Sequence, residues 1–213
     1  MSWIRHPLLE AEAVAHGFGT RACVAPATLV RARQVHGCVA VRVTRPVDEL
    51  VGDADALVCD VPGLAIGVVT ADCLPVLIAA PSGAVAAAHA GWRGLAAGVL
   101  EATVAALREI APDADRSLAV IGPHIGASCY EVDEPVVRAL AARFGGAVDA
   151  ALRETRAGHC DLDLARLKGV HVGAHPHPGQ SASGPGPRRE HRLGQQQVHW
   201  AGHLERLLMA GDH

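Results

Sequence analysis

Three short segments of this 213-residue chain combine a metal-type ligand with a glycine or a turn: RQVHG at 33–37, TADC at 70–73 and HAGWRG at 89–94. The ligands they offer are His36, Cys73 and His89. Two imidazoles and a thiolate suit zinc. Three protein ligands leave the fourth tetrahedral position open for water or substrate, which is the pattern of a catalytic site rather than a closed structural one. An ion held this way lowers the pKa of bound water to about 7. A plainer reading stands beside it. A lone histidine is usually a hydrogen-bonded core or surface residue, and a lone cysteine usually packs as a small apolar side chain. The three residues lie far apart along the chain, at spacings that match no general zinc motif, so the fold has to bring them together.

The elements that must do so are legible in outline. VAVRVT at 39–44 alternates as a strand. LAIGVVT at 64–70, PVLIAA at 75–80 and AVAAA at 84–88 are short apolar runs, with PSG at 81–83 as a turn between the last two. Cys73 and His89 each stand where such a run meets a polar or glycine-rich turn, so neighbouring strands would carry both to one sheet edge. Residues 95–110 place apolar side chains at helical spacing, with Pro112 closing the segment. LAVIG at 118–122 reads as a strand, and 134–144 as a helix ended by Gly145 and Gly146. This order predicts an α/β or α+β fold, a mixed-sheet sandwich with helices packed on it in three layers. The expected domain covers residues 1–169. Residues 170–213 form a divergent tail rich in His, Gly and Pro, poorly ordered in its middle, with a short helix at 199–209.

Half the residues are hydrophobic, 19% are charged and only 3% are aromatic, so Ala, Val and Leu must fill the core. The net charge of −3 and the absence of a basic stripe before residue 170 argue against nucleic acid as a partner. The longest apolar stretch, 64–80, is interrupted by Asp72 and Pro75 and cannot cross a bilayer as one helix. The first residues carry acidic groups and no apolar core, so no signal peptide is expected and the protein is read as cytoplasmic. None of the six cysteines forms a C-x-x-C pair, and a disulfide framework is not expected.

RQVHG, the run from 53 to 104 that contains TADC and HAGWRG, and IGPHIGASCYEV at 121–132 resemble the bacterial purine nucleoside phosphorylase family formerly described as multicopper polyphenol oxidases, or laccase-domain proteins. AHGFGTR at 15–21 resembles that family's opening strand, and the resemblance runs over roughly residues 12–167. It implies a mixed α/β sandwich and zinc bound by His36, Cys73 and His89. It also implies phosphorolysis of adenosine, inosine and methylthioadenosine, with adenosine deamination beside it, and hence a purine nucleoside and phosphate as partners. For deamination Asp72, next to Cys73, is the candidate proton carrier, with turn capping as its alternative role. For phosphorolysis Arg93 and Arg21 are the candidate phosphate cations, because a guanidinium matches phosphate oxygens in a fork; a surface ion pair is the commoner fate of an arginine. Gly91 and Gly94 would let backbone N–H groups approach an anion at a helix start. Gln34, His124 and Tyr130 are candidate substrate contacts, with a turn role open for His124 and a packing role for Tyr130. The expected assembly is a monomer or small homo-oligomer.

Two departures from the family pattern bear on activity. Only residues 22–32 separate FGTR from RQVHG, so a loop expected over the substrate is shortened, and the likeness stops after CDLDLARL at 160–167. Three other readings compete. Copper suits a His2Cys set with a weak axial Met, as a laccase label implies, but the only methionines are Met1 and Met209. A cysteine hydrolase linked to peptidoglycan fidelity would use Cys73 as nucleophile and His89 as base. An inactive metal-binding module would keep the ligands without turnover.

Overall fold

The computed structural model describes residues 3–19, 23, 25–26, 29–167 and 197–202. In chain order its elements are α1 (Pro7–Ala11), β1 (Ala15–Phe18), β2 (Leu29–Val30), β3 (Ala40–Arg42), β4 (Ala56–Cys59), β5 (Ala65–Thr70), β6 (Leu74–Ala79) and β7 (Val85–Ala90). They continue with α2 (Trp92–Ala97), α3 (Val99–Ile110), β8 (Leu118–Ile121), β9 (Glu131–Asp133), α4 (Glu134–Phe144), β10 (Leu152–Arg156), β11 (His159–Leu162) and β12 (Gln197–Gly202).

The strands form a five-stranded sheet in the order β3-β4-β7-β6-β8, a four-stranded sheet in the order β1-β12-β5-β2, and a small sheet β10-β11-β9. The five-stranded sheet is buried on both faces, which is why its central strands read as continuous apolar runs rather than alternating ones. Alternation survives as a division of labour. Ala56, Val58, Val76, Ile78, Ala86 and Ala88 join Leu95, Val99, Leu107 and Leu140 in a core on the helix side. Leu57, Cys59, Leu77, Ala79, Val85 and Ala87 join Phe18, Val30, Ile66 and Val68 in a second core between the two large sheets. The result is the three-layer α/β arrangement that the element order predicts. The alanine-rich β7 supplies small side chains at its centre, which permits close packing on both sides.

The structure corrects three details. The helix expected over 95–110 is two helices, α2 and α3, separated at Gly98. Gly98 has φ +90°, a left-handed conformation open to glycine, and its N–H caps the carbonyls of Gly94 and Leu95. The helix expected over 199–209 is not formed in its first residues: 197–202 is strand β12, hydrogen-bonded antiparallel to β1 on one side and β5 on the other. The rest of that segment lies outside the described residues. Strand β4 had no counterpart in the sequence pattern, although it pairs with both β3 and β7. β12 also means that the four-stranded sheet draws on residues beyond 170.

Candidate metal centre

Strand register accounts for two of the three ligands. In the β6–β7 hairpin Leu74 faces Ala90 and Pro75 faces His89, so Cys73, just before β6, falls beside Gly91, just after β7. Gly91 touches Cys73 so closely that an added Cβ would lie 2.7 Å from its Sγ and 3.4 Å from Nδ1 of His36. His89 is the penultimate residue of β7 and is almost fully buried, at 4% exposure. His36 comes from the loop between β2 and β3 and is exposed. Its ring meets that of His89 edge-on, with centroids 4.8 Å apart.

The ligand atoms of His36, Cys73 and His89 all lie within 4.8 Å of one another. Tetrahedral zinc with the usual bond lengths needs ligand atoms about 3.4–3.6 Å apart. Three donors already this close, from three separate segments, fit one ion with small side-chain adjustment.

The His36 loop is held from two sides. The Gln34 amide donates to the carbonyl of Val69 and accepts from the Val69 N–H, both at 2.7 Å, which ties the loop to β5. The N–H groups of Val35, His36 and Gly37 all donate to the carboxylate of Asp55, at 3.2, 3.0 and 2.7 Å. The same carboxylate accepts from Nδ1 of His89 at 2.8 Å. Asp55 is fully buried, and its backbone carbonyl accepts the His89 N–H as well. Sequence reasoning passed over Asp55. The available signal was an acidic residue at the head of the apolar run ADALVC, where a buried charge needs a dedicated set of donors.

Burial lowers the pKa of His89 below its ordinary value, against the opposing pull of Asp55, and so favours the neutral ring that a metal ligand must present. Burial first, and then the charges of Asp72 and Asp55, push the Cys73 thiol up to about 11, with Arg93 pulling the other way. A cation bound beside that thiol would convert it to thiolate.

The other expected residues distribute around this centre. Asp72 and Arg93 lie within electrostatic reach of both Cys73 and Tyr130. The Asp72 carbonyl accepts the N–H of Ile125, which fixes the 122–125 turn beside the cluster. His124 in that turn donates Nδ1–H to the carbonyl of Gly122 at 2.8 Å, the turn role left open for it. Arg93 is exposed, stacks over the Trp92 ring at 4.4 Å and has no carboxylate partner among the described residues. Tyr130 is half-buried and its hydroxyl is pushed up to about 12, by burial first, so it stays protonated. Trp92 and Tyr130 also line an open cleft of about 400 Å³ with Glu131, Asp133, Arg156 and His159. Gly91 and Gly94 both have packing reasons of their own; a Cβ on Gly94 would lie 3.1 Å from the Gly37 carbonyl. Arg21 lies outside the described residues.

The family profile of the multi-copper polyphenol oxidoreductase laccases matches residues 12–174. The chain belongs to this family. Within this laccase-like family, the purine nucleoside phosphorylase of Streptomyces coelicolor is 45% identical over 151 residues, covering 70% of this chain and 60% of its own. That of Pseudomonas aeruginosa is 44% identical, covering 67% and 57%. An adenosine deaminase from an unknown prokaryotic organism is 38% identical, covering 64% and 55%. The chain thus spans little more than half the length of these relatives. Among solved structures, YlmD from Geobacillus stearothermophilus superposes with a TM-score of 0.66 at 29% identity, covering 84% of this chain and 74% of that one. A Neisseria meningitidis protein gives 0.65 at 32% identity, covering 83% and 75%. No described helix is long and apolar enough to cross a membrane.

Proposed function

We propose that this laccase-like chain is a zinc-dependent purine nucleoside phosphorylase. The observation that carries the reading is the convergence of His36, Cys73 and His89 within 4.8 Å, beside an exposed Arg93 without a carboxylate partner among the described residues. The names of the Streptomyces and Pseudomonas relatives support the same activity. Bound at the three ligands, zinc would act as a Lewis acid that steadies developing negative charge.

The chain's own residues supply the rest. In phosphorolysis a phosphate oxygen bonds to C1′ of the ribose while the C1′–N9 bond breaks and the purine leaves with the electron pair. Arg93 holds the phosphate, its guanidinium already oriented by Trp92. Tyr130 stays protonated and can donate a hydrogen bond to the leaving base or the sugar. Asp72, whose charge reaches Cys73 and Tyr130, would be the carboxylate that carries a proton. In deamination of adenosine it would do so between water and the purine, a second reading favoured by the relative named as an adenosine deaminase. Copper is less well supported, since neither Met1 nor Met209 is close in sequence to the ligands.

The test is chromatography of products from adenosine, inosine and methylthioadenosine, with and without phosphate, on protein of measured metal content. Phosphate-dependent release of adenine or hypoxanthine, lost in His89→Ala, is the expected result. Full activity in His89→Ala, or base release indifferent to phosphate, would overturn the assignment. Stoichiometric copper with a visible thiolate–copper band would favour the laccase instead.

A further inference from the structure

We propose that Asp55 is a positioning residue of this centre, a single buried carboxylate that orients both histidine ligands without binding the ion itself. The inference rests on the reading of His36, Cys73 and His89 as metal ligands.

The geometry leaves Asp55 no spare capacity. A carboxylate offers about four acceptor directions, two on each oxygen. In Asp55, Oδ1 takes the His36 N–H and His89 Nδ1, while Oδ2 takes the Val35 and Gly37 N–H groups. Four donors occupy the four directions, and the residue is fully buried. It is therefore not a fourth ligand in waiting.

Its two oxygens act on two ligands by different means. Toward His89 the effect is on the tautomer. A carboxylate accepts and does not donate, so the ring proton sits on Nδ1 and Nε2 presents its lone pair to the ion. Toward His36 the effect is on the backbone. His36 has φ +58°, a conformation disfavoured for a residue that carries a Cβ. Three successive N–H groups gathered onto Asp55 hold the loop in that shape. His89 is rigid in a strand and His36 rides on a loop, yet both answer to the same carboxylate. Asparagine cannot replace it, because it has one acceptor oxygen and an NH2 group that would face either the loop N–H groups or Nδ1–H of His89.

The test is zinc affinity by competition with a chromophoric chelator, on full-length protein whose folding is checked by circular dichroism and thermal melting. Four proteins are compared: wild type, His89→Ala, Asp55→Asn and Asp53→Asn. Asp53 is the nearby exposed carboxylate paired with Arg33. His89→Ala should lose tight binding, Asp55→Asn should weaken it about 10–100-fold, and Asp53→Asn should stay within about threefold of wild type. Wild-type affinity in Asp55→Asn, with binding lost in His89→Ala, overturns the role of Asp55. Wild-type affinity in His89→Ala overturns the underlying ligand assignment. If Asp55→Asn does not fold, 15N NMR of metal-free wild-type protein decides: a proton on Nδ1 of His89 supports the proposal, and a proton on Nε2 refutes it.

Discussion

Gly91 is the floor on which Cys73 rests. A Cβ at position 91 would fall 2.7 Å from the Cys73 sulfur, closer than real Cβ contacts come. Gly91→Ala must therefore push Cys73 away from His36 and His89, or shift β7 against β6. The expected outcome is a loss of metal affinity together with about 1–3 kcal/mol of stability, read by chelator competition and urea unfolding. Gly126→Ala is the control, since a Cβ there meets nothing within 4 Å. Unchanged affinity in Gly91→Ala would show that the crowded sulfur is not a ligand.

Arg93 and Tyr130 should separate chemistry from metal binding. Neither is a ligand, and both sit in the electrostatic field of Cys73. Arg93→Ala is expected to raise the phosphate KM about tenfold or more, the effect of losing a charge-assisted hydrogen bond. Tyr130→Phe is expected to lower kcat about tenfold. Zinc content should remain at the wild-type level in both. An unaltered phosphate KM in Arg93→Ala would move the phosphate site elsewhere.

Acid should loosen the amino-terminal segment through His16. This buried ring accepts the His6 N–H on Nε2 at 2.7 Å and donates from Nδ1 to the Val14 carbonyl at 2.8 Å, an arrangement only the neutral form can make. Burial, the leading cause, lowers its pKa below the ordinary 6.5 despite the Val14 hydrogen bond. The unfolded chain then binds a proton that the folded chain refuses. Stability is full above about pH 6.5 and declines as pH falls through that value toward the folded pKa. His89, also lowered by burial, contributes with the same sign. The urea midpoint should drop between about pH 7 and pH 5, and less steeply in His16→Gln. An identical slope in the variant would remove His16 from the account.

Residues beyond 170 should matter to the body of the protein. β12 lies between β1 and β5 and hydrogen-bonds to both. A chain cut after residue 169 would leave two strand edges without their partner, and such edges promote association and unfolding. Size-exclusion chromatography and thermal melting should show aggregation or a lower Tm. A truncated chain that stays monomeric with wild-type stability would confine the stable unit to residues 1–169.

The positions of β5, β6, β7, β8 and α4 followed from local pattern, because short apolar runs bounded by turn residues, and a helical period closed by glycines, are local properties. The split at Gly98 did not, since one residue with φ +90° leaves the helical period on either side intact. β4 escaped notice because ALVC is short and takes its strand character from pairing with β3 and β7. β12 escaped because its partners, β1 and β5, are more than a hundred residues away in the chain.

The residue types of the site were readable in one dimension: histidine and cysteine at the ends of apolar runs are chemical facts of the chain. That they meet was not readable, because convergence depends on the register of β6 against β7 and on a loop pinned in place by Asp55, just before β4, and by β5. Asp55 shows the limit most clearly. Its importance lies in four donors that reach it from two segments, and a hydrogen-bonded network of that kind exists only once the chain has folded around it.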